Sequence, residues 1–288
     1  MSRRITRRQF VSTSAAAAGI VTAAPHVFGQ APAVRTSGAK PVVVASSNGN
    51  RFKNGGPVTG VQKAFEMMTS GGADVLDALI AGVNLCELDP EESGVGYGGL
   101  PNAEGVVQLD SCCMHGPKKR AGGVASIEGV RAPSLVAKAV MEYTDHHLLV
   151  GKDAQRFAKS MGFTVEEDLN TEKSRKTWLE WKRRSDPEHY LDPTKRTTGM
   201  SSDAALNDAG YRAAMSMMRD GLIDPEHFWG TINCDGVNAK GDVCGVTTTS
   251  GLSWKIPGRL GDSPILGRTV EKISSLPEGV AKPAARYF

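Results

Sequence analysis

Apolar and polar positions along the chain fall into a few regular patterns, each of which predicts an element. Residues 41–46 are a continuous apolar run between Lys40 and Asn48, read as a buried strand. Residues 60–68 and 73–88 bring apolar side chains back every three or four positions. That is the spacing of two amphipathic helices parted by Gly71-Gly72, with Met67, Met68 and Leu76 in the core. Asp89-Pro90 ends the second helix, because the residue before a proline is pushed out of helical backbone. The glycine-dense stretch 94–99 requires a tight backbone approached closely by its neighbours.

Further on, residues 105–110 and 122–128 read as strands, with Cys112 and Cys113 just beyond the first. Pro133 opens a helix to residue 143, since a missing N–H costs nothing at the first helical position, and another helix is expected over 153–161. Residues 172–185 form a charged helix with Trp178 and Trp181 on one stripe; packing is their expected role, sugar stacking the alternative. Residues 185–230 turn polar, with Asp192-Pro193 and Asp224-Pro225 framing a helix over 202–218, and read as a linker where a chain break disturbs no core. Last, two alternating stretches around a glycine-containing turn at 237–241 predict a β-hairpin that begins at Thr231 and ends at Thr247-Thr248-Thr249.

Strands interleaved with helices indicate an α/β domain of ordinary size, and a hydrophobic fraction of 40% is enough to bury a core. The net charge of +3 is owed in part to arginines among the first eight residues, and no basic stripe with interleaved aromatics follows, which argues against nucleic acid. The six histidines are scattered and the five cysteines lack CxxC spacing, so neither a metal nor a cofactor is expected. The cysteines read as buried free thiols; a Cys234–Cys244 disulfide is the alternative, although facing strand positions seldom meet its geometry.

Thr6-Arg7-Arg8-Gln9-Phe10 and the apolar run 11–24 resemble a twin-arginine export signal over residues 1–31, cut near Ala31. The run is shorter than the ~20 residues of a membrane span and is diluted by serine, threonine and glycine, so no membrane anchor is expected. Export places the protein in the periplasm or outside the cell.

The residues that carry chemistry lie at the hairpin. A threonine hydroxyl needs an adjacent base to attack, and cutting the Gly230–Thr231 bond would supply one. The freed α-amine of Thr231 would have an unperturbed pKa of about 7.7 to 8.0. Thr249, at the end of the facing strand, can hold that hydroxyl or donate to a developing oxyanion. Arg259 offers a planar fork for a carboxylate and Asp262 an anchor for an ammonium, which suits the two charged ends of an α-amino acid. The plain alternative is that Thr231 is an ordinary strand threonine.

Gly230-Thr231-Ile232-Asn233, Thr247-Thr248-Thr249-Ser250-Gly251 and Gly258-Arg259-Leu260-Gly261-Asp262-Ser263-Pro264-Ile265 resemble the glycosylasparaginases (aspartylglucosaminidases). These belong to the wider isoaspartyl peptidase and plant-type asparaginase group of N-terminal nucleophile hydrolases. The similarity continues upstream through 41–46, 71–78, Asp89-Pro90, 95–102, Leu109-Asp110, 124–127 and 133–141, and covers roughly 40–185 and 225–267.

The resemblance implies a four-layer αββα sandwich, with 40–230 as the α-subunit part and 231–288 as the β-subunit part, produced by self-cleavage at Gly230–Thr231. The two fragments would stay together, and a dimer of them is a further expectation. It implies Thr231 as nucleophile, Thr249 as supporting hydroxyl, and Arg259 and Asp262 as holders of the substrate's α-carboxylate and α-amine. The activity implied is hydrolysis of the side-chain amide of a glycosylated asparagine or a β-aspartyl compound.

The chain departs from the pattern at several places. Ser47 stands where a pocket tryptophan is common, which favours the isoaspartyl peptidase or asparaginase reading. Gly94, beside Ser93, stands where a hydroxyl usually precedes Val-Gly, and Trp229 replaces a common histidine, with His227 two places earlier. After Gly267 the family pattern is not continued; an incomplete C-terminal part, from a truncated or frameshifted gene, is the expectation, and an inactive remnant is the third reading.

Overall fold

In the computed structural model, residues 38–195, 203–224 and 230–266 are described. The export signal, His227, Trp229 and everything from Gly267 on lie outside them. Six strands, β1 (Val42–Ala45), β2 (Leu109–His115), β3 (Arg120–Ile127), β4 (Leu148–Val150), β5 (Ile232–Val237) and β6 (Val243–Thr249), make one sheet in the order β1-β5-β6-β2-β3-β4. Every pairing is antiparallel except β3 with β4.

Alternation along the strands sends Val43, Ala45, Cys113, Val124, Ile232, Cys234, Cys244 and Val246 to one face. That face is covered by α1 (Gly60–Thr69), α2 (Val75–Glu87), α3 (Pro133–Tyr143) and α4 (Gly151–Ser160), which complete the main core. The α/β class and these helices are as the periodicity led one to expect, and Met68 and Leu76 are buried. Side-chain caps start α1 and α2. Thr59 and Gln62 exchange hydrogen bonds in a capping box at α1, and Asp74 accepts from the N–H groups of Leu76 and Asp77 at α2.

A second cluster joins α5 (Glu172–Ser185) and α6 (Asp203–Arg219) to the stretch after β6. Trp181 stacks on Trp254 with ring centroids 5.1 Å apart, and Leu100, Ala214, Met217 and Ile223 pack around them. The tryptophans of α5 therefore serve packing. The polar stretch 185–230 contains in α6 a packed helix, and Trp181 Nε1–H donates to the carbonyl of Gly210 at 2.9 Å.

Three strand expectations are corrected. Among the described residues β1 is an edge strand with an alternating pattern, Val44 being 61% exposed, because of these only β5 pairs with it. The strand expected over 105–110 starts at Leu109 and contains Cys112 and Cys113, because residues before it are held in a turn. There Asn102 Oδ1 accepts from the N–H groups of Glu104 and Val106, and Gly105 sits at φ +87°. The hairpin's first strand starts at Ile232, one residue after Thr231. All five cysteines are buried free thiols; Cys234 lies opposite Val246 and Cys244 opposite Gly236.

The glycine stretch is held against the end of α2. Gly96 has φ +57°, and a Cβ there would stand 2.1 Å from the carbonyl oxygen of Glu87, which accepts from Tyr97 N–H at 2.7 Å. Gly96→Ala must break this contact and strain the backbone, so a loss of about 3 kcal/mol is expected, seen as a melting temperature lower by roughly 6–12 °C. An unchanged melting curve would contradict it.

Candidate active site

Strand register brings the hairpin's outer ends together. Ile232 faces Thr248, so Thr231 stands beside Thr249, and both project from the sheet face opposite the four helices. Thr231 Oγ1–H donates to Thr249 Oγ1 at 3.1 Å, and Thr249 Oγ1–H donates to the carbonyl oxygen of Gly230 at 2.6 Å. Gly251 N–H donates to the same Thr249 hydroxyl at 2.8 Å. One hydroxyl thus joins the hydroxyl of residue 231 to the carbonyl that precedes it, with its proton aimed where charge would develop if that carbonyl were attacked.

The three threonines of β6 divide between the two faces. Thr248 points to the helices and donates to the buried carboxyl of Glu87 at 2.7 Å. Glu87 also accepts from Ser134 N–H, Ser134 Oγ and Asn84 Nδ2. Burial pushes this carboxyl up, and those hydrogen bonds oppose the rise. Thr247 lies on the Thr249 side and donates to Asn233 Oδ1 at 2.5 Å, while Asn233 Nδ2 donates to Asp235. Burial raises the Asp235 carboxyl to about 6.

After Thr249 the chain runs over the Thr231 face of the sheet. Lys255 is buried, and its ammonium donates to the carbonyls of Ser250 at 3.0 Å and Gln108 at 2.9 Å. Burial lowers its pKa and the Arg259 charge adds to that, while Asp110 opposes. Asp110 accepts from Ser126 N–H at 2.7 Å and, more weakly, from Gly261 N–H at 3.4 Å. These contacts seat the loop that carries Arg259 and Asp262, both exposed. The Arg259 guanidinium lies beside Gly251, its Nη1 being 3.6 Å from where a Cβ would stand there. Gly251 thereby has both the Thr249 hydroxyl and the Arg259 guanidinium beside it, and Asp262 follows on the same loop.

A cleft of about 1210 Å³ opens beside Arg259, between α5, α6 and the loop, with Trp181, Tyr211, Trp254 and Lys255 in its walls. Its lining does not include Thr231. Among the described residues no cluster of three His, Cys, Asp or Glu side chains is placed to hold a metal ion, and no helix is long and apolar enough to cross a membrane.

The sequence pattern points to Thr231, Thr249, Arg259 and Asp262 as candidates and gives no sign of the buried charged residues packed nearby. Lys255 stands in a stretch of ordinary composition, and Glu87 and Glu92 are two of the four acidic residues over 87–92. Their burial depends on contacts with distant segments, and no local pattern signals it.

The sequence pattern of the asparaginase family matches residues 40–269. The chain is 35% identical over 228 residues to an N(4)-(beta-N-acetylglucosaminyl)-L-asparaginase of Elizabethkingia miricola, covering 79% of this chain and 54% of that protein. It is 34% identical over 241 residues to the mouse (Mus musculus) protein of that name, covering 82% and 65%. A probable isoaspartyl peptidase/L-asparaginase 3 of Arabidopsis thaliana is 31% identical over 215 residues, covering 68% and 57%. The chain spans between about half and two thirds of the length of these relatives. With most of its length matched to one family pattern, this chain belongs to the asparaginase family.

Proposed function

We propose that this chain is an amidohydrolase acting on the side-chain amide of asparagine derivatives, with Thr231 as an N-terminal nucleophile exposed by self-cleavage at Gly230–Thr231. The observation that carries the reading is the relay from the Thr231 hydroxyl through Thr249 to the Gly230 carbonyl oxygen. An ordinary strand threonine has no need of it.

Once the bond is cut, the Thr231 α-amine can take the proton of its own hydroxyl as that hydroxyl attacks the substrate's amide carbon. Thr249, released from Gly230, can donate to the oxyanion. The amine or ammonia leaves, and water hydrolyses the β-aspartyl ester to free aspartate. Arg259 would hold the α-carboxylate and Asp262 the α-ammonium. Amidohydrolysis also accords with the names of the relatives in Elizabethkingia, mouse and Arabidopsis.

Ser47 in place of a pocket tryptophan favours β-aspartyl dipeptides or asparagine over glycosylated asparagine. Release of aspartate from the three substrates by the cut protein is the test. Turnover of a β-aspartyl dipeptide at least about tenfold faster than of the glycosylated substrate is expected; the reverse order would favour the glycosylasparaginase reading. Thr6-Arg7-Arg8-Gln9-Phe10 supports export by the twin-arginine route, and the two fragments are proposed to remain associated, with a dimer of them the further assembly.

A further inference from the structure

In the uncut chain the nitrogen of Thr231 is an amide, so the base that serves turnover does not yet exist and the maturation step needs another proton acceptor. Thr249 cannot fill that role as a neutral hydroxyl already donating to Gly230. Gly94 opens the way to a candidate. A Cβ on it would stand 2.7 Å from Gly230 Cα, 3.4 Å from the Gly230 carbonyl carbon and 2.8 Å from Glu92 Oε1. With no side chain between them, Gly94 packs tightly against the scissile residue on one side and the Glu92 carboxyl on the other, which brings the two within the span of one bridging water.

That carboxyl is fixed in place. Gly94 N–H donates to Glu92 Oε1 at 2.7 Å, and Gly94 O accepts from Ser250 N–H at 2.9 Å and Ser250 Oγ at 3.0 Å. One residue thus ties Glu92 to the neighbour of Thr249. Glu92 is fully buried.

From this geometry we infer that Glu92 is the acid–base group for scission of the Gly230–Thr231 bond. The inference rests on the reading that Thr231 cuts this bond. Glu92 carboxylate accepts the Thr231 hydroxyl proton through one water as Oγ1 bonds to the Gly230 carbon. It returns that proton to the Thr231 nitrogen as the C–N bond breaks, leaving a Gly230 ester on Thr231 Oγ1 and a free amine. Water then adds to the ester and the C–O bond breaks, giving back the Thr231 hydroxyl and releasing the Gly230 carboxylate and a proton.

The charged surroundings suit the task. Burial pushes Glu92 up to about 7, Asp89 and Asp224 push the same way, and the Gly94 N–H and Arg51 oppose. Cys86 also faces it, and burial drives that thiol far up, so it stays protonated. A base works best with a pKa near the operating pH, and this one is active in its deprotonated form. Scission should therefore accelerate as pH rises through about 7 and level off above it.

The test is the rate of scission of freshly refolded chain between about pH 6 and 8 for the parent, E92Q and E92D. E92Q keeps an oxygen acceptor for Gly94 N–H, and is expected to cut about 10²-fold more slowly with no pH dependence. E92D is expected to cut slowly but to regain the dependence. Scission of E92Q at the parental rate, or slowed with the parental pH profile, would overturn the inference while leaving self-cleavage intact. A parent chain that never cuts would overturn self-cleavage and the role of Glu92 together. Should E92Q fail to fold, E92D decides: cutting at the parental rate and profile would overturn the inference, and slow pH-dependent cutting would support it.

Discussion

Thr231→Ala is expected to leave one uncut chain with no amidohydrolase activity. The substitution removes the hydroxyl that attacks Gly230 and the hydroxyl that would attack substrate, and both steps lose their nucleophile together. Losses on the order of 10⁴-fold or more are usual when a nucleophile is deleted, so turnover should fall to background. Folding should survive. Thr231 is half-buried and lies outside β5, and its side-chain partner is Thr249, which keeps its bonds to Gly230 and Gly251. Gel analysis, amide-release assays and a melting curve on one preparation check all three points. Normal scission or turnover in this variant would remove Thr231 from the mechanism.

Thr249→Val should separate chemistry from packing within β6. Valine keeps the shape but loses the hydroxyl that donates to Gly230 O and accepts from Thr231 and Gly251. Scission is expected to slow by about 10²–10³, the usual cost of one oxyanion donor, and turnover of already cut protein by a similar factor. Gly251 N–H loses its acceptor, which adds a stability cost of about 1–2 kcal/mol. Thr248→Val is the contrast. Its hydroxyl serves Glu87 on the opposite face, so stability should fall by about 1–3 kcal/mol while scission keeps its rate. Equal kinetic loss in both variants would mean that Thr249 acts only through the fold.

The helices were legible because their periodicity and caps are local. Pro133 and Tyr143 bound α3 as expected, and the bounds of α5 match residues 172–185. The hairpin was legible for the same reason, since its turn glycine and alternating strands lie within one short stretch. The β1 edge was not, because a run such as 42–45 reads alike whether one strand or two flank it, and only the sheet order decides. The helix α6 was expected over 202–218, and what its composition hid was its packing. Alanine, glycine and serine look polar or neutral in sequence, yet they let α6 approach Trp181 closely enough to receive its indole hydrogen bond at Gly210.

The site divides in the same way. Thr231, Thr249, Arg259 and Asp262 stood out because their residue types, order and spacing match a recognisable pattern. Glu92 did not, since its meaning comes from Gly94 and Gly230 meeting across more than a hundred residues of chain. Lys255 was missed because nothing in sequence distinguishes a buried lysine from an exposed one, and only the two carbonyls it bridges reveal its place under the loop.

Intact mass together with N-terminal sequencing of the purified chain after incubation tests the central claim most directly. The expected result is two fragments, the second beginning Thr231-Ile232-Asn233-Cys234. A single chain of unchanged mass after prolonged incubation, or a break at any other bond, would contradict the assignment of Thr231 as an N-terminal nucleophile.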